Sequence, residues 1–103
     1  MKSIFAKRLK EARTTTGLSQ QKLGVESGID EASASARMNQ YERGKHEPDF
    51  SMVERIAKVL DVPEAYFYAL DDEAAWLLVA FHRMDRDKRR LLMDALRALA
   101  DAS

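Results

Sequence analysis

The sequence predicts an all-α fold: a five-helix bundle over residues 1–70, followed by two additional C-terminal helices over residues 71–103. Three observations predict it. Apolar residues recur at spacings of three and four in one segment after another, as in Phe50, Val53, Ala57 and Leu60, with Ile56 widening the stripe. Residues that start or stop helices punctuate these stripes, among them Ser19, Gly28 and Asp49, with Gly17, Gly44 and Pro48 between elements. Nothing in the pattern signals a strand, and no internal repeat is visible.

The first helix runs from about Ser3 to Thr15, with Phe5, Leu9, Ala12 and Thr16 inward and Lys7, Lys10 and Glu11 outward. The β-branched Thr14-Thr15-Thr16 followed by Gly17 ends it. Ser19 caps a short second helix whose Leu23 faces inward, and Gly28 is placed to end that helix. A third helix carries Ala34, Met38 and Tyr41 on one side. Its other side groups Ser33, Ala36, Arg37 and Gln40, small or hydrogen-bonding residues with one cation. Its start is open between two readings: a helix from Asp30 or Glu31, or an irregular loop ending near Ser33 or Ser35.

Arg43 to Pro48 is a loop. Asp49, or Ser51 with Glu54 as a capping box, begins the fourth helix. Val62-Pro63 opens a short fifth, whose Tyr66, Phe67 and Leu70 close the core. Asp71-Asp72-Glu73 marks a boundary. Beyond it, Ala75 to Phe81 is apolar nearly all round and should be buried on more than one side. After a turn at Met84–Asp87, a last helix sets Leu91, Leu92, Ala95, Leu96 and Leu99 against an outer face of Arg89, Arg90, Asp94 and Arg97. These apolar residues either pack back on the chain or make a dimer, and the all-round character of Trp76–Phe81 favours the dimer.

Two short helices joined by a glycine-containing turn, the second with a polar face, describe a DNA-binding helix-turn-helix. The chain resembles the phage repressor and Cro-like helix-turn-helix family over roughly Phe5 to Leu70. Gly17-Leu18-Ser19-Gln20, Gly28-Ile29, Tyr41-Glu42-Arg43-Gly44-Lys45 and Ile56 to Val62 carry the resemblance, in this order. One departure matters. In that family the tyrosine follows the turn glycine by roughly nine positions, whereas Gly28 and Tyr41 are 13 apart, so about four extra residues, close to the length of one helical turn, lie within Asp30–Ala36.

The resemblance implies that Gln20, with the unpaired N–H groups of its helix, grips a DNA phosphate; Gln21 is grouped with it. Arg37 and Gln40 can reach base edges, an arginine pairing with guanine and a glutamine with adenine. Ser35, Ala36 and Asn39 fall on family contact positions, and Arg43 and Lys45 suit phosphates. His46 reads as an ordinary surface residue. Glu42 and Arg13 both lie on inward sides of their helices, where a lone charge would be costly. The resemblance implies that they pair, a structural contact rather than a catalytic one.

Composition bounds the function. The 103 residues include no cysteine, which excludes a disulfide framework and thiolate metal sites. His46 and His82 lie apart without metal-ligand spacing, no nucleophile motif frames a serine, and no glycine run could cradle a phosphate. Neither enzymatic activity nor a cofactor is expected. The longest apolar run, Ala74 to Phe81, is far short of a membrane span, and Lys2 is followed too soon by Lys7 for a signal peptide. A cytoplasmic, nucleoid-associated protein is expected.

The net charge of zero argues mildly against a nucleic-acid partner, although residues 1–50 carry nine Lys/Arg against seven Asp/Glu. The expected function is a repressor-like transcriptional regulator that binds operator DNA as a dimer held by residues 71–103. Two alternatives stand beside it. One is an antitoxin that also binds its own promoter and holds a protein partner through the C-terminal helices. The other is an interaction adaptor that has lost DNA binding.

Overall fold

Helix starts follow the hydrogen-bonding side chains ahead of each apolar stripe. Ser3 accepts from the Ala6 amide at 3.1 Å, Ser19 from Lys22 at 3.0 Å, and Asp49 from Met52 at 2.9 Å. The structure, a computed structural model, describes residues 3–102, so the extreme ends of the two expected segments lie outside it. The helices are α1 (Ile4–Thr16), α2 (Gln20–Glu26), α3 (Glu31–Glu42), α4 (Phe50–Leu60), a 3₁₀ helix (Glu64–Tyr68), α5 (Asp72–Arg83) and α6 (Arg86–Ala102). Of the two starts open for α3, the longer helix is the one observed, with Asp30 in the N-cap position. Asp49 is the cap of α4.

The core is built where the stripes of α1 to α4 converge. Leu9, Leu23, Met38 and Ile56 are wholly buried, and Phe67 of the 3₁₀ helix closes the base. The fifth helix takes the tighter 3₁₀ form because only five residues separate the extended Pro63 and Ala69, little more than one α-turn. Closest approach occurs between α2 and α3. A Cβ added at Gly24 would lie 2.8 Å from the Ala34 Cβ and 2.9 Å from its carbonyl oxygen. Only glycine allows the two backbones to come this near.

Four expectations are corrected. Phe50 is 61% exposed, because it occupies the opening turn of α4 where nothing covers it; Met52 is buried instead. Thr16 lies outside the core, and its hydroxyl donates back to Ala12 O within the last turn of α1. Leu70 is 81% exposed. Its segment turns backbone rather than side chain inward, with Ala69 O and Leu70 O accepting from Arg8 at 2.9 and 3.3 Å. Finally, α5 is buried on one side only: Ala75 is in the core and Val79 packs against it, while Trp76 is 70% exposed.

Arg8 was not among the expected inward residues, yet it is only 1% exposed. Its guanidinium meets Asp72 at 2.9 Å and lies 5.9 Å over the Tyr66 ring. The hydrogen bond from Arg8 holds the Asp72 carboxyl below its ordinary pKa. At the other end of α5, Arg83 donates to Asp61 O and Leu60 O. Helix α5 is therefore tied to the bundle at both ends, and the expected boundary at Asp71–Glu73 is a capped helix start, with Asp71 accepting from the amides of Glu73 and Ala74. Helix α6 is different: none of its residues is buried.

Candidate nucleic-acid interface

The candidate site is organised by how α3 is gripped. Glu42, 2% exposed, receives the Arg13 guanidinium from α1 through both carboxylate oxygens, the Nη2–Oε1 distance being 3.0 Å. Arg13 also donates to Leu18 O at 2.9 Å, which fixes the chain entering α2. Hydrogen bonding to Glu42 raises the Arg13 pKa, against an opposing effect of burial. The inward charges thus neutralise each other, and the pair joins α1 to the last residue of α3.

The two glutamines that open α2 also act on α3. Gln20 donates to Glu42 Oε1 at 3.2 Å. Gln21 donates through Nε2 to Glu31 O at 3.0 Å and accepts through Oε1 from the Ser35 amide at 3.1 Å. Both carboxamides, expected at DNA, are engaged inside the protein. At the far end of α3, Gly44 adopts a left-handed φ of 73°. Its amide bonds to Tyr41 O, and the Lys45 amide to Gln40 O at 3.0 Å, a paired closure that turns the chain sharply after Arg43.

With its inner side held in this way, α3 presents the opposite side to solvent. Ser35, Ala36, Arg37 and Gln40 are exposed, as are Arg43 and Lys45. Neither the Arg37 nor the Gln40 side chain has an intramolecular hydrogen bond or ion pair among the described residues. Arg37 and Gln40 lie together in a shallow recess with Tyr41, His46 and Glu47. Asn39 is half-buried and belongs to a separate cleft with Lys10, Gln20, Glu42 and Arg43. The expected contact residues therefore fall into two groups on either flank of α3.

Comparison with known proteins gives the family. A model described as a helix-turn-helix domain matches residues 4–67. The chain belongs to the helix-turn-helix domain family. The crystal structure of the transcriptional regulator BswR matches this chain with a TM-score of 0.89 and 43% sequence identity, covering 94% of this chain and 96% of that one. No curated protein matches.

In this helix-turn-helix, α2 and α3 are the two helices of the motif and residues 27–30 the turn between them. Arg55 of α4 supports that turn by donating to Ser27 O at 2.8 Å. Two residues beside the interface were not expected there. Lys10 borders the Asn39 cleft; its place one turn before Arg13 was the available signal. His46 sits beside Arg37 and Gln40, brought there by the bend at Gly44, for which the sequence offered only a glycine. Among the described residues no cluster of His, Cys, Asp and Glu could hold a metal ion, and no helix is long and apolar enough to cross a membrane.

Proposed function

We propose that this protein is a sequence-specific transcriptional regulator, repressor-like, that binds operator DNA as a dimer with α3 in the major groove. One observation carries the reading. The inner side of α3 is locked by Arg13, Gln20 and Gln21, while Arg37 and Gln40 project from its outer side with unused hydrogen-bonding capacity. A rigid helix offering an arginine and a glutamine is suited to reading base edges. Lys10, Arg43 and Lys45 flank it as phosphate partners, and Ser35, Ala36 and Asn39 lie along the same helix. Gln20 reaches a phosphate only by sharing or leaving Glu42, so its contribution is smaller than that of the free cations.

Helix α6 supports the dimer. Its Leu91 and Leu99 are 71% and 69% exposed, and an amphipathic helix with no buried residue gains most from a self-complementary partner. The same surface favours a second reading, an antitoxin that holds a toxin through residues 71–103. The adaptor reading is disfavoured because Arg37 and Gln40 are displayed rather than consumed.

Gel shifts on genomic fragments across a salt series, followed by selection of bound sequences, test the proposal. Arg37→Ala and Gln40→Ala should each lose about 1–3 kcal/mol of discrimination at one base pair, and Lys45→Ala should weaken all sequences alike and lower the salt slope by about one. Wild-type behaviour in all three variants would remove the reading face from consideration. Co-purification with a small polypeptide would favour the antitoxin.

A further inference from the structure

We infer that Gln21 is a positioning residue for DNA specificity: it fixes the first turn of α3, and with it the base preference read by the N-terminal end of that helix. The inference rests on the proposed DNA reading. The start of α3 is irregular. Asp30 stands in the N-cap position, but its side chain makes no capping hydrogen bond. An uncapped first turn leaves N–H groups without partners and frays readily. Ala32, Ser35 and Ala36 are exposed, so little side-chain burial holds this turn from outside.

What holds it comes from α2. The Gln21 carboxamide spans the carbonyl of Glu31 and the amide of Ser35, two backbone groups one helical turn apart. A primary amide has both a donor and an acceptor at the required separation, so one side chain serves both. Gly24, three residues further along α2 and on the same face, admits Ala34 against its backbone. Gln21 and Gly24 thus form a two-point seat for the beginning of α3, one polar and one steric. Gln20 meets Glu42 near the other end. Adjacent glutamines therefore act on opposite ends of the same helix.

The division of labour has a functional reading. Arg37 and Gln40 lie in the part of α3 secured by Met38, Tyr41 and Glu42, whereas Ser35 and Ala36 lie on the part secured by Gln21. Loss of the Gln21 carboxamide would loosen the second part and leave the first in place. Phosphate contacts from Lys10, Arg43 and Lys45 would be unaffected. The expected signature is a local loss of sequence preference without a uniform loss of affinity.

The test uses the full chain with Gln21→Met, which keeps length and shape without hydrogen bonding, and Gln21→Glu, which keeps the acceptor for Ser35 but loses the donor to Glu31. Amide exchange in the free protein should rise by about fivefold or more at Ser35 in Gln21→Met, with Met38 and Tyr41 unchanged. In sequence selection, that variant should lose about tenfold in preference at the base pairs facing Ser35 and Ala36, with the salt slope and the Arg37 and Gln40 positions retained. Gln21→Glu should fall between wild type and Gln21→Met in both readouts, and it decides the matter if Gln21→Met does not fold. Unchanged protection at Ser35 would overturn the inference, as would increased exchange with the wild-type motif retained in full. If wild-type protein selects no sequence at all, the DNA reading fails and the specificity role fails with it; the exchange result then reports only on the seat of α3.

Discussion

Helices α3 and α6 are both amphipathic, and the protein treats them in opposite ways. The apolar side of α3 is enclosed: Ala34 and Met38 are 0% exposed, three side chains from α1 and α2 (Arg13, Gln20 and Gln21) grip its ends and flank, and the Gly24 backbone lies against Ala34. Helix α6 is longer, yet none of its residues is fully buried, and Arg89 joins it to α5 by donating to Phe81 O and His82 O. The apolar stripe is in fact the more pronounced in α6, so the strength of the pattern does not decide which helix is enclosed. The difference lies in whether a neighbour is present to receive the stripe, and it separates a surface that is held still from one left open to solvent.

The sharpest way to break this contrast is at the ion pair. Glu42→Ala or Arg13→Ala should destabilise the protein by about 3–5 kcal/mol in denaturant melts, since the remaining charge is left in a largely desolvated place. Replacing both with well-packed apolar residues should cost much less. A single substitution costing under about 1 kcal/mol would place the pair with exposed salt bridges and weaken the idea of a locked helix.

A smaller effect is expected at the helix–helix contact. Gly24→Ala puts a methyl group where Ala34 already stands, and overpacking of this kind costs about 1–3 kcal/mol. Pairing it with Ala34→Gly should recover part of the loss, which a double-mutant cycle would measure. Complete additivity would mean that the two residues do not press on each other.

The smallest effect on stability belongs to α6. Leu91→Ser with Leu99→Ser should change unfolding free energy, measured at concentrations where the protein is monomeric, by no more than about 0.5 kcal/mol per site. Sedimentation should nevertheless show the dimer lost, and operator affinity should fall because two linked modules no longer act together. A variant that remains dimeric would move the interface away from α6. Shortening the chain offers a second check, but the cut belongs after Met84: removing Asp72 would take away the closer carboxylate of the buried Arg8, at 2.9 Å, and leave only Glu11 at 3.4 Å.

Much of this arrangement was legible from residue order. Ser19 and Asp49 announced helix starts, and the interval from Gly28 to Tyr41 announced the extra residues, which the structure shows to be helical. What escaped notice did so for definable reasons. Arg8 lies three residues after Phe5 and four before Ala12, squarely on the inner face, but a cation at such a position reads as solvent-exposed unless its distant partner Asp72 is known. Phe50 and Leu70 fit the periodicity, yet they sit at edges where no element covers them. Gln21 is grouped with the DNA contacts on sequence, but its seat against α3 carried no signal, because its partners are backbone groups 10 and 14 residues away and any residue type could supply them. The apolar character of Trp76–Phe81 predicts burial on more than one side, but the fold covers one side only and leaves Trp76 70% exposed.

Arg89 fills the carbonyl end of α5 and stacks 4.6 Å over the Phe81 ring, so the bend into α6 is braced. At about 1.5 Å per residue, the 17 residues of α6 form a lever about 25 Å long. A swing of about 10° at its base moves the tip by about 4 Å, more than the roughly 3.4 Å between successive base pairs. In a dimer joined along α6, the stiffness of this one elbow would set the spacing of half-sites to within a single step of the double helix. A guanidinium far from DNA would then act as the gauge by which one operator is told from another.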